Sequence, residues 1–368
     1  MRGFAAVLRK EGIQMLRDKG TLRFSLMVPI FQLVLFGLID TNVRHVPTVI
    51  FDQSRSPESR ALVDDFTNTS YFEVIGYAPS RAALRNEIVA GRASVGVEIP
   101  PDFDEKRLRG QQASFLVLID GSDSSISAQT LGAANGVALN RSLAEIRDKM
   151  GARDFPLEAR PTLLFNPDSR SANLLIPGLI AILLTFSGTL LSAYAIVRER
   201  ERGTLEQLMV TPASPLAVVL GKILPYLVLA FVQLLLVLVL MTWVFRVPIH
   251  GSIPLLLGLA VIYLFALLSL GLLVSSRAKT QMEATQIAQM VLLPSIMLSG
   301  YIFPLSSLPG PLRAVAQILP ATHFIAISRG IVIRGASFQD LWSHVAALLV
   351  IAAVLVAGSA RAFQKTIS

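Results

Sequence analysis

Six stretches of the chain are almost free of charge and long enough to cross a bilayer as helices, which takes roughly 20 apolar residues. They cover residues 24–39, 173–197, 223–245, 252–276, 284–303 and 341–360. The first is short, carries Pro29 and needs residues up to about Val43 to cross. The third follows Lys222, which from a helix end can snorkel to the headgroups. The fifth contains Pro294 and Gly300. Among 368 residues, 53% are hydrophobic and only 16% charged, and the mean hydropathy is +0.59. Those values exclude a water-soluble globule of ordinary composition. The expected architecture is a polytopic α-helical membrane protein with six transmembrane helices.

The net charge of +8 raises the question of nucleic acid, and its distribution answers it. Residues 43–172 hold 15 basic and 17 acidic side chains, so the basic excess of 33 over 25 lies entirely on the apolar part. Six basic residues fall between Arg2 and Arg23 and three between Arg198 and Arg202, whereas the opposite flanks are poorer. This asymmetry is the positive-inside pattern, and it predicts both termini in the cytoplasm with no nucleic-acid partner. The N-terminus does not read as a cleavable signal peptide, because residues 1–23 mix charges and no small-residue cleavage site follows.

Residues 44–172 then lie outside. They alternate β-rich runs at 47–51, 71–75, 94–99 and 115–119 with amphipathic helical patterns at 57–66, 81–89 and 125–150, which predicts a mixed α/β extracytoplasmic domain inserted between the first two spans. Asp120-Gly121-Ser122-Asp123 reads as a strand-to-helix turn with an N-cap in preference to a cation site. The domains expected are thus 1–43, with an interfacial helix and the first span, 44–172, and 173–368 with the remaining spans.

No cysteine is present, and the four histidines are scattered, which removes disulfides, thiol nucleophiles and Cys-ligated metals. No phosphate-binding GxxxxGK[ST] loop occurs; at Gly221-Lys222 the first glycine is Leu216 and the hydroxyl residue is Ile223. No metal or cofactor is expected on the chain itself. The spans lack a mid-membrane carboxylate, which argues against a proton-driven carrier.

The segment after the second span is the most informative: Arg198-Glu199-Arg200-Glu201-Arg202-Gly203-Thr204-Leu205-Glu206-Gln207-Leu208-Met209-Val210-Thr211-Pro212. Thr204 and Gln207 form a capping-box pattern, Gly203 permits a turn and Pro212 stops the helix, so a short cytoplasmic helix is expected over about 204–211. Leu205, Leu208 and Met209 share one face. Such a knob either meets a partner surface or lies in the headgroups, and the Arg/Glu run is equally consistent with a solvated, charge-balanced helix end. Residues 3–23 read as an interfacial helix. Between 305 and 335 the chain is apolar but broken by Pro309, Pro311, Pro320 and Gly330, which predicts two short external helices hinged at Pro320. Arg329 and Arg334 are expected to snorkel or to attract anionic groups.

The chain resembles the ABC-2 type permeases, the membrane subunits of ATP-binding-cassette exporters, and in particular the drug-efflux-type members with a large domain between the first two spans. The resemblance rests on the 198–212 run with Gly221-Lys222-Ile223-Leu224-Pro225-Tyr226, and on Ile302-Phe303-Pro304, Leu308-Pro309, Leu319-Pro320-Ala321-Thr322, Arg329-Gly330 and Arg334-Gly335. It implies the type V exporter-like fold, with the loop after the second span as a coupling helix and 305–335 as re-entrant helices. Glu199, Glu201, Arg202, Gly203, Thr204, Leu205, Glu206, Leu208 and Thr211 would then transmit movement from a separate ABC ATPase subunit, which holds ATP and Mg. A second permease chain, identical or related, would complete a substrate pathway touched by Phe186, Ser187, Met290 and Ser295. A periplasmic adaptor and a bacterial inner-membrane location are also implied, with drugs or other amphipathic, lipid-like molecules as cargo. The alternative class is a non-transporting receptor or scaffold whose ectodomain senses a ligand.

Overall fold

The centre of the helical unit is the second long apolar stretch, which forms a helix from Ser171–Glu201 (α7) and is 83% buried over its most apolar window. The computed structural model describes residues 4–39, 43–122, 124–150, 164–201, 203 and 215–365. These divide into two compact units, one formed by Met1–Asp40 with Leu163–Ser368 and the other by Thr41–Thr162.

In the helical unit, α1 (Phe4–Arg17) and α2 (Lys19–Gly37) are separated by Asp18, whose carboxylate accepts the Thr21 N–H at 3.0 Å and caps α2. The first span therefore gains its length at its start, taking in Lys19 and Arg23, and not by running on to Val43. After α7 come α8 (Pro215–Trp243), α9 (Ile253–Arg277), α10 (Gln281–Leu298), α11 (Gly310–Ile318), α12 (Pro320–Arg334) and α13 (Phe338–Lys365). Among the described residues, five helices are long and apolar enough to cross a membrane: α2, α7, α8, α9 and α13; a sixth arises if α11 and α12, bent by 81° at their junction, count as one broken span. The expected fifth span differs from the expectation of 284–303. Its helix, α10, stops at Leu298 because Gly300 turns the chain at φ +83°. Gln281, Glu283, Gln286 and Gln289 along its first half keep it out of the apolar set.

Packing around α7 depends on small residues and inward hydroxyls. At Gly271 of α9, an added Cβ would lie 1.9 Å from Ser192 Oγ and 2.3 Å from the Thr189 carbonyl of α7, so only glycine permits this crossing. Tyr263 of α9 stacks on Phe324 of α12, with ring centroids 4.3 Å apart, and donates its O–H to the Ala181 carbonyl at 2.9 Å. Ser328 of α12 donates to the Pro177 carbonyl at 2.8 Å. Arg329 does not reach outward: it donates to the Gly300 and Tyr301 carbonyls at 2.9 and 3.1 Å and closes the turn after α10. Two free carbonyls at a chain reversal outcompete the headgroup region for a guanidinium that can bind both at once.

The second unit holds a four-stranded sheet in the order β2-β1-β3-β4, where β1 is Val46–Asp52, β2 Phe72–Tyr77, β3 Val95–Ile99 and β4 Leu116–Ile119. β1 pairs in parallel with β2 and β3 through crossovers carrying α3 (Pro57–Asn68) and α4 (Arg81–Val89), and β4 returns antiparallel to β3. The alternation of β and α elements requires such crossovers. Helices α5 (Phe103–Leu108) and α6 (Ser124–Met150) complete the layer. Its core joins Ile50, Leu62, Phe66, Phe72, Val97 and Val137. At Asp120 the carboxylate accepts the Ser122 N–H at 3.0 Å, a turn contact.

Candidate functional site

The last turn of α7 carries the alternating run Arg198 to Glu201, in which Glu199 is buried and Glu201 is exposed. Each of the four side chains grips a different partner. Arg198 donates to the Asp18 carboxylate and, at 3.2 Å, to Thr21 Oγ1, seizing the cap of α2. Arg200 donates to the Ala278 carbonyl at the end of α9. Glu201 accepts the Gln281 N–H at 2.8 Å and its carboxamide as well, holding the start of α10. One turn earlier, the Tyr194 and Thr285 hydroxyls lie 2.7 Å apart and add a second tie to α10.

Glu199 is the most buried of the four, at 2% exposure, and its partners are the ones that sequence reasoning missed. Lys222 of α8, fully buried, places its Nζ 2.7 Å from Glu199 Oε2 and 2.7 Å from Glu11 Oε1 of α1. It therefore turns inward instead of snorkelling. Lys10, at the rim, also binds Glu199 and stands 3.6 Å from Glu11, so two cations and two carboxylates close a neutral cluster. Neutrality matters because an unpaired ion in such surroundings is costly. Burial, reinforced by the nearby Glu199 carboxylate, raises the Glu11 carboxyl above the usual carboxylate range against the opposing pull of Lys222. Gly221 makes the arrangement possible: an added Cβ would meet Val7 at 2.9 Å, so α1 could not lie this close to α8.

A signal for this cluster is present in the sequence. Glu11 falls one turn from Val7 on the buried face of α1, and Lys222 is the one charge in 216–245. A lone charge inside an apolar run calls for a partner.

Of the residues expected to couple, Glu199 and Glu201 join this junction. Gly203 follows with φ +69° and its N–H on the Arg200 carbonyl at 3.1 Å, ending α7. Arg202, Thr204, Leu205, Glu206, Leu208 and Thr211 lie outside the described residues, as does the expected helix at 204–211. Of the four pathway residues, Phe186 and Ser187 border a narrow crevice between α2 and α7, and the Ser187 hydroxyl donates to the Leu183 carbonyl at 3.0 Å. Met290 is exposed on α10, while Ser295 is buried with its hydroxyl on the Val291 carbonyl at 2.8 Å. The two α10 residues thus sit on different faces. Among the described residues, no three His, Asp or Glu side chains are grouped so as to hold a metal.

The model of the ABC-2 family transporter proteins matches residues 19–361. The chain belongs to the ABC-2 transporter family. This ABC-2 chain is 28% identical over 362 residues to the probable multidrug ABC transporter permease YbhR of Escherichia coli, covering 98% of each chain. It is 29% identical over 337 residues to the probable multidrug ABC transporter permease YbhS of the same organism, covering 91% of this chain and 89% of the relative. With the inner membrane transport permease YhhJ, also of Escherichia coli, it shares 31% identity over 371 residues, covering 97% and 96%. The apolar helices and the family together make the ABC-2 chain a membrane protein and an ABC transporter permease.

Proposed function

We propose that this permease is the membrane subunit of an ATP-driven exporter that moves drugs or other amphipathic, lipid-like small molecules out of the cytoplasm or inner membrane. ATP and Mg reside on a separate ABC ATPase subunit, and a second permease chain completes the complex. The observation that carries the reading is the junction at the end of α7: four consecutive charged side chains bind α1, α2, α8, α9 and α10 where the chain enters 202–214. A push on that segment would move five helices together, which is what coupling to a nucleotide cycle requires. The multidrug names of YbhR and YbhS support the cargo class.

In this reading six helices cross the inner membrane: α2, α7, α8, α9, α10 and α13. At 18 residues, α10 is about 27 Å long, near the bilayer core thickness. The bent pair α11 and α12 re-enters from outside, both termini are cytoplasmic and the α/β unit is extracytoplasmic. Helix 204–211 docks on the ATPase through Leu205 and Leu208, while Phe186, Ser187, Met290 and Ser295 remain the pathway positions.

The test is Leu205→Asp. We expect the variant to insert and fold normally but to lose the co-purifying ATPase subunit and the extrusion of amphipathic dyes that the parent extrudes. Retention of both by the variant contradicts the assignment. A variant that loses only a recruited partner, in a chain whose parent moves no dye, favours the receptor or scaffold reading.

A further inference from the structure

Between Phe4 and Gly37 the chain carries two carboxylates, Glu11 and Asp18, and both are engaged from within the protein. Glu11 binds Lys222, while Asp18 caps α2 and binds Arg198. The cations of the same segment fare differently. Arg9 and Arg17 of α1 and Lys19 and Arg23 of α2 are exposed, and among the described residues none of the four has an ion-pair partner. The outer side of this segment is thus cationic, with no carboxylate left to answer it.

Helical spacing shows what accompanies these charges. On α1, Ile13 stands one turn from both Arg9 and Arg17, and Leu16 falls on the same arc; all four are exposed, opposite the face of Val7 and Glu11 that packs on α8. On α2, Lys19 and Arg23 are one turn apart at the head of an apolar stripe formed by Phe24, Met27 and Phe31, which are 62–67% exposed. With Leu35 the stripe runs about 17 Å along the helix. Arg17 and Lys19 flank Asp18, so the two sets of cations meet at the turn between the helices. An open hollow of about 680 Å³ lies against this turn, lined by Lys10, Ile13, Gln14, Arg17, Asp18 and Arg198. Lys10 and Arg198 are held by Glu199 and Asp18, which leaves Arg17 as its unpaired cation.

We propose that the turn between α1 and α2 binds an anionic phospholipid, with its phosphate in the field of Arg9, Arg17, Lys19 and Arg23 and its acyl chains along Phe24, Met27 and Phe31. Basic side chains next to the end of an apolar helix attract anionic headgroups. A zwitterionic lipid brings its own cation to the same place, and a soluble anion leaves the α2 stripe unmatched. An acidic protein surface could meet the cations but could not follow the stripe into hydrocarbon. The proposal requires α2 in the membrane but neither the ATPase nor a direction of transport, so it stands or falls separately from export.

The full chain in phosphatidylcholine nanodiscs should be photolabelled with trace phosphatidylglycerol carrying a diazirine on one acyl chain, and in parallel with phosphatidylcholine carrying the same chain. Labelling of the α2 peptide is referred to that of α13, which exposes Leu349, Val350 and Val354 to lipid in the same way. We expect phosphatidylglycerol to favour α2 over α13 by about fivefold relative to phosphatidylcholine. Arg9→Gln with Arg17→Gln, and separately Lys19→Gln with Arg23→Gln, should each lower that preference to about twofold or less, while Arg9→Lys with Arg17→Lys keeps it. Tryptophan-detected melting identifies the variants that fold, and either Gln pair suffices if the other does not. Equal preference at α2 and α13, a preference unchanged in a folded Gln pair, or its loss in the Lys pair overturns the proposal.

Discussion

Two ionic networks in this protein use the same residue types to opposite purpose, and burial separates them. In the helical unit, Lys222, Glu11 and Glu199 are at most 2% exposed and bond at 2.7 Å. In the α/β unit, Arg107, Arg141, Glu58, Asp65 and Glu145 tie α3, α5 and α6 together while remaining 18–38% exposed. The solvated network can lose a member and recruit water. The buried cluster cannot, because removing one ion strands the others in a low-dielectric setting. A buried cluster is therefore an all-or-none link between helices, whereas the solvated one is a brace that tolerates loss.

Removing the central cation is the strongest way to break this contrast. Lys222→Met leaves two carboxylates buried with only Lys10 to answer them, and we expect a loss of about 3–5 kcal/mol in the stability of the helical unit. The two tryptophans, Trp243 and Trp342, both lie in that unit, so their fluorescence during thermal unfolding measures it without interference from the α/β unit. A transition unchanged from the parent protein means that water reaches the cluster.

Arg141→Gln is the matching change in the solvated network, and its expected cost is about 0–1 kcal/mol. Tryptic cleavage within the α/β unit reads it. A cost as large as that of Lys222→Met erases the difference between the two regions.

Acid should move the two networks in opposite directions, with the smallest effect of the three. The Arg107 hydrogen bond holds the Glu58 carboxyl below its usual range, so its contribution is present above about pH 4.3 and fades as the pH falls through the lowered value. Burial holds Glu11 above its usual range, so between about pH 4.3 and that raised value the folded state binds more protons than the unfolded one. Lowering the pH from the raised value toward about 4.3 should therefore favour the helical unit and leave the α/β unit unaffected until Glu58 itself titrates. Tryptophan-detected melting and tryptic cleavage across that range check both signs.

How legible these regions are in sequence follows the same physics. The second, third and fourth spans are plain because an uninterrupted apolar run has one low-energy solution in lipid. The α/β alternation is equally readable, since period-2 and period-3.6 patterns differ locally. Lys19 and Arg23 hide the true start of α2, because basic residues at a helix end are compatible with either the loop or the span. Gly300 and the carbonyls that bind Arg329 decide where α10 ends, and neither partner is close to the other in the chain. The same distance conceals the junction: Glu11 and Lys222 stand 211 positions apart, and Glu199 in isolation looks like one more charge on a solvated helix end. Their meeting depends on Gly221 admitting α1 to the surface of α8, a tertiary fact that no local pattern carries.

The central claim is that the last turn of α7 moves several helices as one. The chain has no cysteine, so spin labels placed through Arg17→Cys on α1 and Met282→Cys on α10, both exposed positions, report on a single pair. Labelled copies diluted among unlabelled ones, assembled with the ATPase subunit, should show a change in the α1–α10 distance between the nucleotide-free and vanadate-trapped states. In a Glu199→Gln background, which keeps the shape but removes the charge, the account predicts that ATP hydrolysis continues while the distance change is lost. The same distance change in both backgrounds would contradict it.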